Sequence, residues 1–231
     1  MSLFCLAFAY AQELVFPEFP FSSIDTIPSL ERKIYSQGDC SHLDLLFLYD
    51  GTGSMGPYLT QAQAHSIVLL EEVQKKYVDS RFAVAVVRDY APLGSSERPY
   101  ELLSPFSSDP FLAFHALESL VALGGGDMPE AYPYALRKAS NELWREEARR
   151  FVFFVADSYA RNKELLQESI VDSNFELVVL ASDKGVAEYW QTYTSSVFSL
   201  SPQETFDKIV LGALEVGCSQ DVFKKDLALL H

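Results

Sequence analysis

Leu43-Asp44-Leu45-Leu46-Phe47-Leu48-Tyr49-Asp50-Gly51-Thr52-Gly53-Ser54 joins a nearly continuous apolar run to a carboxylate and two hydroxyls at alternate positions. A run that is apolar without in–out alternation suits a strand covered on both faces, as in a parallel sheet. Asp50 then stands at the end of a buried strand, with Thr52 and Ser54 in the turn that follows. A hard divalent cation such as Mg²⁺ takes oxygen ligands in near-octahedral geometry, and one carboxylate with two hydroxyls supplies half of that shell.

Working outward, further β-rich runs fall at residues 82–87, 151–155 and 177–181, with a weaker one at 197–200. Between them lie segments with helical spacing. Ile67, Leu70, Val73 and Tyr77 recur every three or four residues in a stretch rich in Gln, Glu and Lys, which predicts an amphipathic helix. Pro129 suits the first turn of a helix over 129–144. Helices are also expected at 110–120, 163–171, 186–193 and 202–216. Residues 100–107 read as a short edge strand, because Pro105 could not sit inside a central one. Strands alternating with helices predict an α/β fold: a doubly wound, mostly parallel central sheet flanked by helices on both faces, with one antiparallel edge strand.

The chain has 231 residues, 48% of them hydrophobic and 22% charged, which suits one substantial core. We expect that domain at 43–217, after an extended lead-in at 12–42 carrying Pro17, Pro20 and Pro28, and before a short tail at 218–231. The net charge of −14, spread along the chain, argues against nucleic acid and anionic membrane surfaces as partners. Residues 1–11 end in Ala9-Tyr10-Ala11, a small-x-small pattern that reads as a signal peptide, although the run is short and lacks a positive start. The alternative is an ordinary apolar segment. No other apolar run approaches the roughly 20 residues of a membrane span.

If Cys5 leaves with the signal, Cys40 and Cys218 remain, one just before the first core strand and one just after the last helix. The ends of a compact domain often lie close together, so a disulfide is geometrically plausible and agrees with secretion. Free thiols in a cytoplasmic protein are the alternative.

Three strand ends carry carboxylates: Asp50, Asp89 and Asp157. A fourth cluster, Gly124-Gly125-Gly126-Asp127-Met128-Pro129-Glu130, joins a glycine-rich turn to a helix start, and loops at the carboxyl ends of parallel strands are where ligands bind. Together these loops supply oxygens for a cation cage.

The apolar strand ending in Asp50-x-Thr52-x-Ser54 resembles the metal-ion-dependent adhesion site of von Willebrand factor A domains, and the order of elements over residues 43–217 matches as well. The Asp127-x-Pro129-Glu130 turn is similar to that of the integrin β-subunit I-like domain. The resemblance implies that Asp50, Thr52 and Ser54 form the first metal loop and Glu130 the second, with Asp157 a direct or water-mediated ligand from the third. Related A domains offer a threonine in the second loop, a role that would fall to Asp127. It further implies a neighbouring second cation, Ca²⁺, held by Asp89, Asp127, the carbonyl of Pro129 and Glu130. This chain departs from the pattern at Gly125, where the family has an asparagine ligand. It departs again at Pro57 and Tyr58, where integrin β domains carry the acids of a further inhibitory site.

The expected function is therefore Mg²⁺- or Mn²⁺-dependent adhesion, in which a protein ligand presents an acidic side chain to the metal, outside the cell. An intracellular A-domain scaffold with a weak or structural metal site is the alternative. Metal-dependent hydrolysis or phosphotransfer is more remote, because Thr52 stands where aspartyl-phosphate chemistry needs a second acid.

Overall fold

Every residue of strand β1 (His42–Asp50) after His42 is buried. The strand runs through the middle of the sheet, parallel to β2 (Asp79–Val87) on one side and to β4 (Arg149–Ala156) on the other. With β3 (Tyr100–Ser107), β5 (Glu176–Ala181) and β6 (Val197–Ser199), the strand order is β3-β2-β1-β4-β5-β6. Only β3 among these strands is antiparallel, and its Pro105 lies on the sheet edge where no ladder N–H is required. The computed structural model of the chain describes residues 40–89, 98–124, 130–200 and 206–228.

Side chains alternate across the sheet. Leu45, Phe47 and Tyr49 pack beneath α1 (Gly56–Lys76), α2 (Pro110–Ser119) and α6 (Phe206–Ala228). Leu46 and Leu48 point the other way, toward α3 (Tyr132–Ser140), α4 (Lys163–Val171) and α5 (Lys184–Trp190). On that second face Tyr132, Phe154 and Trp190 form an aromatic knot with centroids 4.9–5.8 Å apart. Each such ring buries enough area to stabilise the fold by roughly 1.5–3 kcal/mol.

At the opposite end of β1 from Asp50, the carboxylate of Asp44 is fully buried. It accepts from Arg81 Nε at 2.9 Å and Nη2 at 2.6 Å, and from Arg145 Nε at 3.0 Å and its backbone N–H at 2.9 Å. Two guanidiniums and a peptide N–H thus satisfy one buried charge, the condition under which such a charge is tolerated.

This network explains one departure from expectation. The helix expected to continue to Trp144 ends at Ser140, because the following residues turn back and deliver Arg145 to Asp44. Trp144 folds under this turn and donates from its indole N–H to the Ala139 carbonyl at 2.8 Å. The proline in the first turn of α3 is Pro133; Pro129 lies outside the described residues. Helix α1 begins earlier than its apolar spacing indicated and buries Leu59, Ala62, Ser66, Leu69, Leu70 and Val73, leaving Ile67 part-exposed. Helix α6 runs past Val216 to Ala228, where a tail was expected.

Cys40 and Cys218 form a disulfide, with Cα atoms 5.8 Å apart across 178 residues of sequence. Residues 1–39, which include the expected signal peptide and nearly all of the lead-in, lie outside the described residues. Among the described residues, no helix is long and apolar enough to cross a membrane.

Candidate metal centre

From β1 the chain crosses through α1 to β2 on one side, while β4 pairs on the other. The strand order therefore reverses beside β1, and the crevice beyond the carboxyl ends of β1 and β4 is the position where doubly wound sheets bind ligands. Asp50 is the last residue of β1, on the same face as Leu46 and Leu48 and hence toward α3.

Gly51 turns the chain away from the strand, donating its N–H to the Val87 carbonyl at 2.8 Å. A Cβ at Gly51 would lie 2.4 Å from Val86 Cγ2, so any other residue there must displace that side chain. The Thr52 N–H then donates to Asp50 Oδ1 at 2.8 Å, and Met55 N–H closes a 3₁₀ turn on the Thr52 carbonyl at 3.0 Å. The turn sets the hydroxyls of Thr52 and Ser54 3.3 Å apart. Thr52 is buried and Ser54 exposed, so the oxygens lead from the interior to solvent.

The loop after α2 clamps this turn. Leu123 N–H donates to the Gly51 carbonyl at 2.8 Å and Gly53 N–H to the Gly124 carbonyl at 3.1 Å. Gly124 has φ of 74°, a conformation that favours glycine. Gln63 of α1 holds the start of the same loop, donating to the carbonyls of Leu117 and Leu120, each at 2.8 Å.

Glu130 is fixed by its backbone. Its N–H donates to the Tyr159 carbonyl and its carbonyl accepts from Arg161 N–H, both at 2.9 Å, a short parallel bridge to the loop after β4. Its side chain is buried, and among the described residues Oε2 has no hydrogen-bond partner. Burial, and then the charges of Asp50, Asp89 and Asp157, push the Glu130 carboxyl up to about 8, against the pull of Arg161. Burial likewise raises Asp50 to about 6, although hydrogen bonds from Tyr132 and Thr52 oppose it, and the charge of Asp157 adds to the rise. Asp157 is part-buried just beyond β4.

Three of the expected ligand loops therefore converge, bringing Asp50, Thr52 and Ser54 together and setting Glu130 and Asp157 within electrostatic reach. Asp127 and Pro129 lie outside the described residues, as does Gly125. Among the described residues, no group of three or more His, Cys, Asp or Glu side chains is placed to hold a metal ion. In chemical type the set nevertheless suits a hard cation. Its donors are all oxygen, two are hydroxyls, and a buried carboxylate oxygen that lacks a donor among the described residues is the atom a cation would satisfy. Asp89, expected at a second cation, is buried and receives Arg161 Nη2 at 3.0 Å on both oxygens.

Sequence reasoning missed Tyr132, which donates to Asp50 Oδ2, and Arg161, the partner of Asp89. It also missed Ser158, next to Asp157, whose buried hydroxyl has no partner among the described residues. Only for Tyr132 was there a signal: the parity of Asp50 with Leu46 and Leu48 aims it at the helix that starts just after Glu130.

No protein-family model matches the chain. The structure is similar to the VWA domain of SpRpn10, with a TM-score of 0.52 over 73% of this chain and 94% of that one. The chain has the von Willebrand factor A fold. BatB from Bacteroides thetaiotaomicron shares this A fold at a TM-score of 0.57 over 75% of this chain and 97% of that one. Proximal thread matrix protein 1 from the mussel byssus matches at 0.61, over 78% of this chain and 49% of that protein. Identities of 11%, 14% and 12%, respectively, mean that these structures speak for the A fold alone. In sequence, 133 residues are 29% identical to the alpha-protein kinase vwkA of Dictyostelium discoideum, a match over 57% of this chain and 20% of that protein's length.

Proposed function

We propose that this von Willebrand factor A-like domain binds a protein ligand through one divalent cation, Mg²⁺ or Mn²⁺, above the carboxyl ends of β1 and β4. In this reading Asp50, Thr52, Ser54 and Glu130 hold the cation, and Asp157 contributes directly or through water. Bound there, the cation supplies residual positive charge and an open position for an acidic side chain of the partner. No bond is made or broken. The observation that carries the reading is the buried Glu130 Oε2, which has no donor among the described residues and is set among the like charges of Asp50 and Asp157. An extracellular or secreted location belongs to the proposal and is supported by the Cys40–Cys218 disulfide, since such bonds persist in oxidising compartments.

The test has two stages. Calorimetric titration with MnCl₂ should give saturable binding that Asp50→Ala abolishes. The wild-type domain should then retain a partner from extracellular extract in Mg²⁺ and release it in EDTA, while Asp50→Ala retains none. Equal retention in EDTA and by Asp50→Ala rules the mechanism out.

A further inference from the structure

We infer that the outer flank of α2 is a separate interaction surface, apart from the crevice beyond β1 and β4, and that its partner is a basic amphipathic helix laid along α2.

A surface helix ordinarily turns charged side chains outward and apolar ones inward. Helix α2 buries Ala113, Ala116 and Leu117, yet Phe111 and Leu112 in its first turn are each at least half exposed. Val121 and Leu123, just past its other end, are exposed to the same degree. The two apolar pairs are separated by the length of a ten-residue helix, about 15 Å, which about three turns of a partner helix would span. Both ends are held in place. Asp109 accepts from the Phe111 N–H at 3.0 Å, and Gln74 of α1 donates to the Ser108 carbonyl at 2.7 Å. At the far end Gln63 of α1 holds the carbonyls of Leu117 and Leu120, and the Gly51 carbonyl holds the Leu123 N–H. A surface fixed before its partner arrives loses little freedom on binding.

Charge selects the occupant. Residues 99–124, which run through β3 and α2 to the loop that clamps the turn at Gly51, contain no lysine or arginine. Their charged side chains are the acids Glu101, Asp109 and Glu118. Glu118 lies on α2 itself, exposed and 3.4 Å from His115. A second copy of the chain would bring the same acids and its own charge of −14, so like charges oppose self-association. A helix with apolar side chains on one face and lysine or arginine beside them is complementary in both respects.

The experiment uses the whole chain in EDTA, which keeps the candidate cation site out of the measurement. The probe is a fluorescein-labelled peptide of two heptads, with leucine at positions a and d and lysine elsewhere. Fluorescence anisotropy should show saturable one-to-one binding. Binding should be about tenfold weaker in the variant carrying both Phe111→Ser and Leu112→Ser, and about tenfold weaker for a scrambled peptide of the same composition without the apolar stripe. A peptide with glutamate in place of lysine should not bind. Circular dichroism checks that the double variant folds, and Glu118→Lys, which keeps both apolar side chains and should weaken binding of the lysine peptide, serves where it does not. No binding of the patterned peptide overturns the inference. Equal binding by the double variant, by Glu118→Lys or of the scrambled peptide overturns it as well, since only a general attraction to an acidic chain would remain. A dimer in sedimentation equilibrium that the double variant loses assigns the flank to a second copy and overturns the inference too.

Discussion

The hydroxyl of Tyr132 donates to Oδ2 of Asp50, so the first residue of α3 is tied to the last residue of β1. Tyr132 is itself held in the aromatic knot with Phe154 and Trp190, which fixes where its hydroxyl points. Removing that hydroxyl leaves a buried carboxylate with one donor fewer. Tyr132→Phe should destabilise the metal-free domain by about 1.5–3 kcal/mol, the range for a hydrogen bond to a charged group. With a cation satisfying the same carboxylate the loss should shrink. Urea melts in EDTA and in Mg²⁺ check this, and an equal loss in both rules out Asp50 as a cation ligand.

Acidity gives a second expectation. Asp50 and Glu130 have folded values raised to about 6 and about 8. Well below their ordinary values near 4, both are protonated whether folded or unfolded and cost nothing. As pH rises through that range the unfolded chain loses its protons while the folded one keeps them, so stability falls with rising pH and levels off above about 8. In EDTA the melting temperature should therefore fall by several degrees between about pH 5.5 and about pH 8.5. Saturating Mg²⁺ should flatten that slope, and calorimetry in the two conditions reads the difference.

Asp44→Ala removes the buried carboxylate shared by the part-buried guanidiniums of Arg81 and Arg145, while Arg145 keeps its ion pair with Asp79. The expected cost is about 3 kcal/mol, the lower end of the range for breaking a buried pair on one side, because the guanidiniums left behind are part-exposed. Because Asp44 lies at the far end of β1 from Asp50, the affinity for Mn²⁺ should be unchanged in whatever fraction is folded. Denaturant melts and metal titration on the same sample separate the two effects.

Replacing Cys40 and Cys218 by serine opens a link across 178 residues. Chain-entropy estimates put its contribution at roughly 5 kcal/mol as an upper bound, with about 2–4 commonly observed. A lower urea midpoint in the double variant, matched by wild type in reductant, is the expected result.

The strands were legible because β1, β2 and β4 are covered on both faces, which writes an apolar run into the sequence. Pro105 marked the edge strand for a local reason too. The end of α3 was not legible, since what stops it is the delivery of Arg145 to a carboxylate more than a hundred residues earlier. The start of α1 was obscured because the buried Ser66, bonded to the Gln63 carbonyl, interrupts the apolar stripe. The site divides in the same way. Asp50, Thr52 and Ser54 are a contiguous turn and can be read as one, whereas Tyr132 and Arg161 act across space on residues 82 and 72 positions away.

The disulfide meets α6 in mid-helix, for the backbone stays helical from Phe206 through Cys218 to Ala228. Consider a chain pulled at points before Cys40 and after Cys218. Tension then passes from one cysteine to the other through the covalent bond, and the chain between them is outside the load path. The sheet, the turn at Asp50 and the bridge at Glu130 carry no force. Under mechanical strain the domain is a passenger on the chain, and the face beyond the carboxyl ends of β1 and β4 keeps its shape until that one bond is broken.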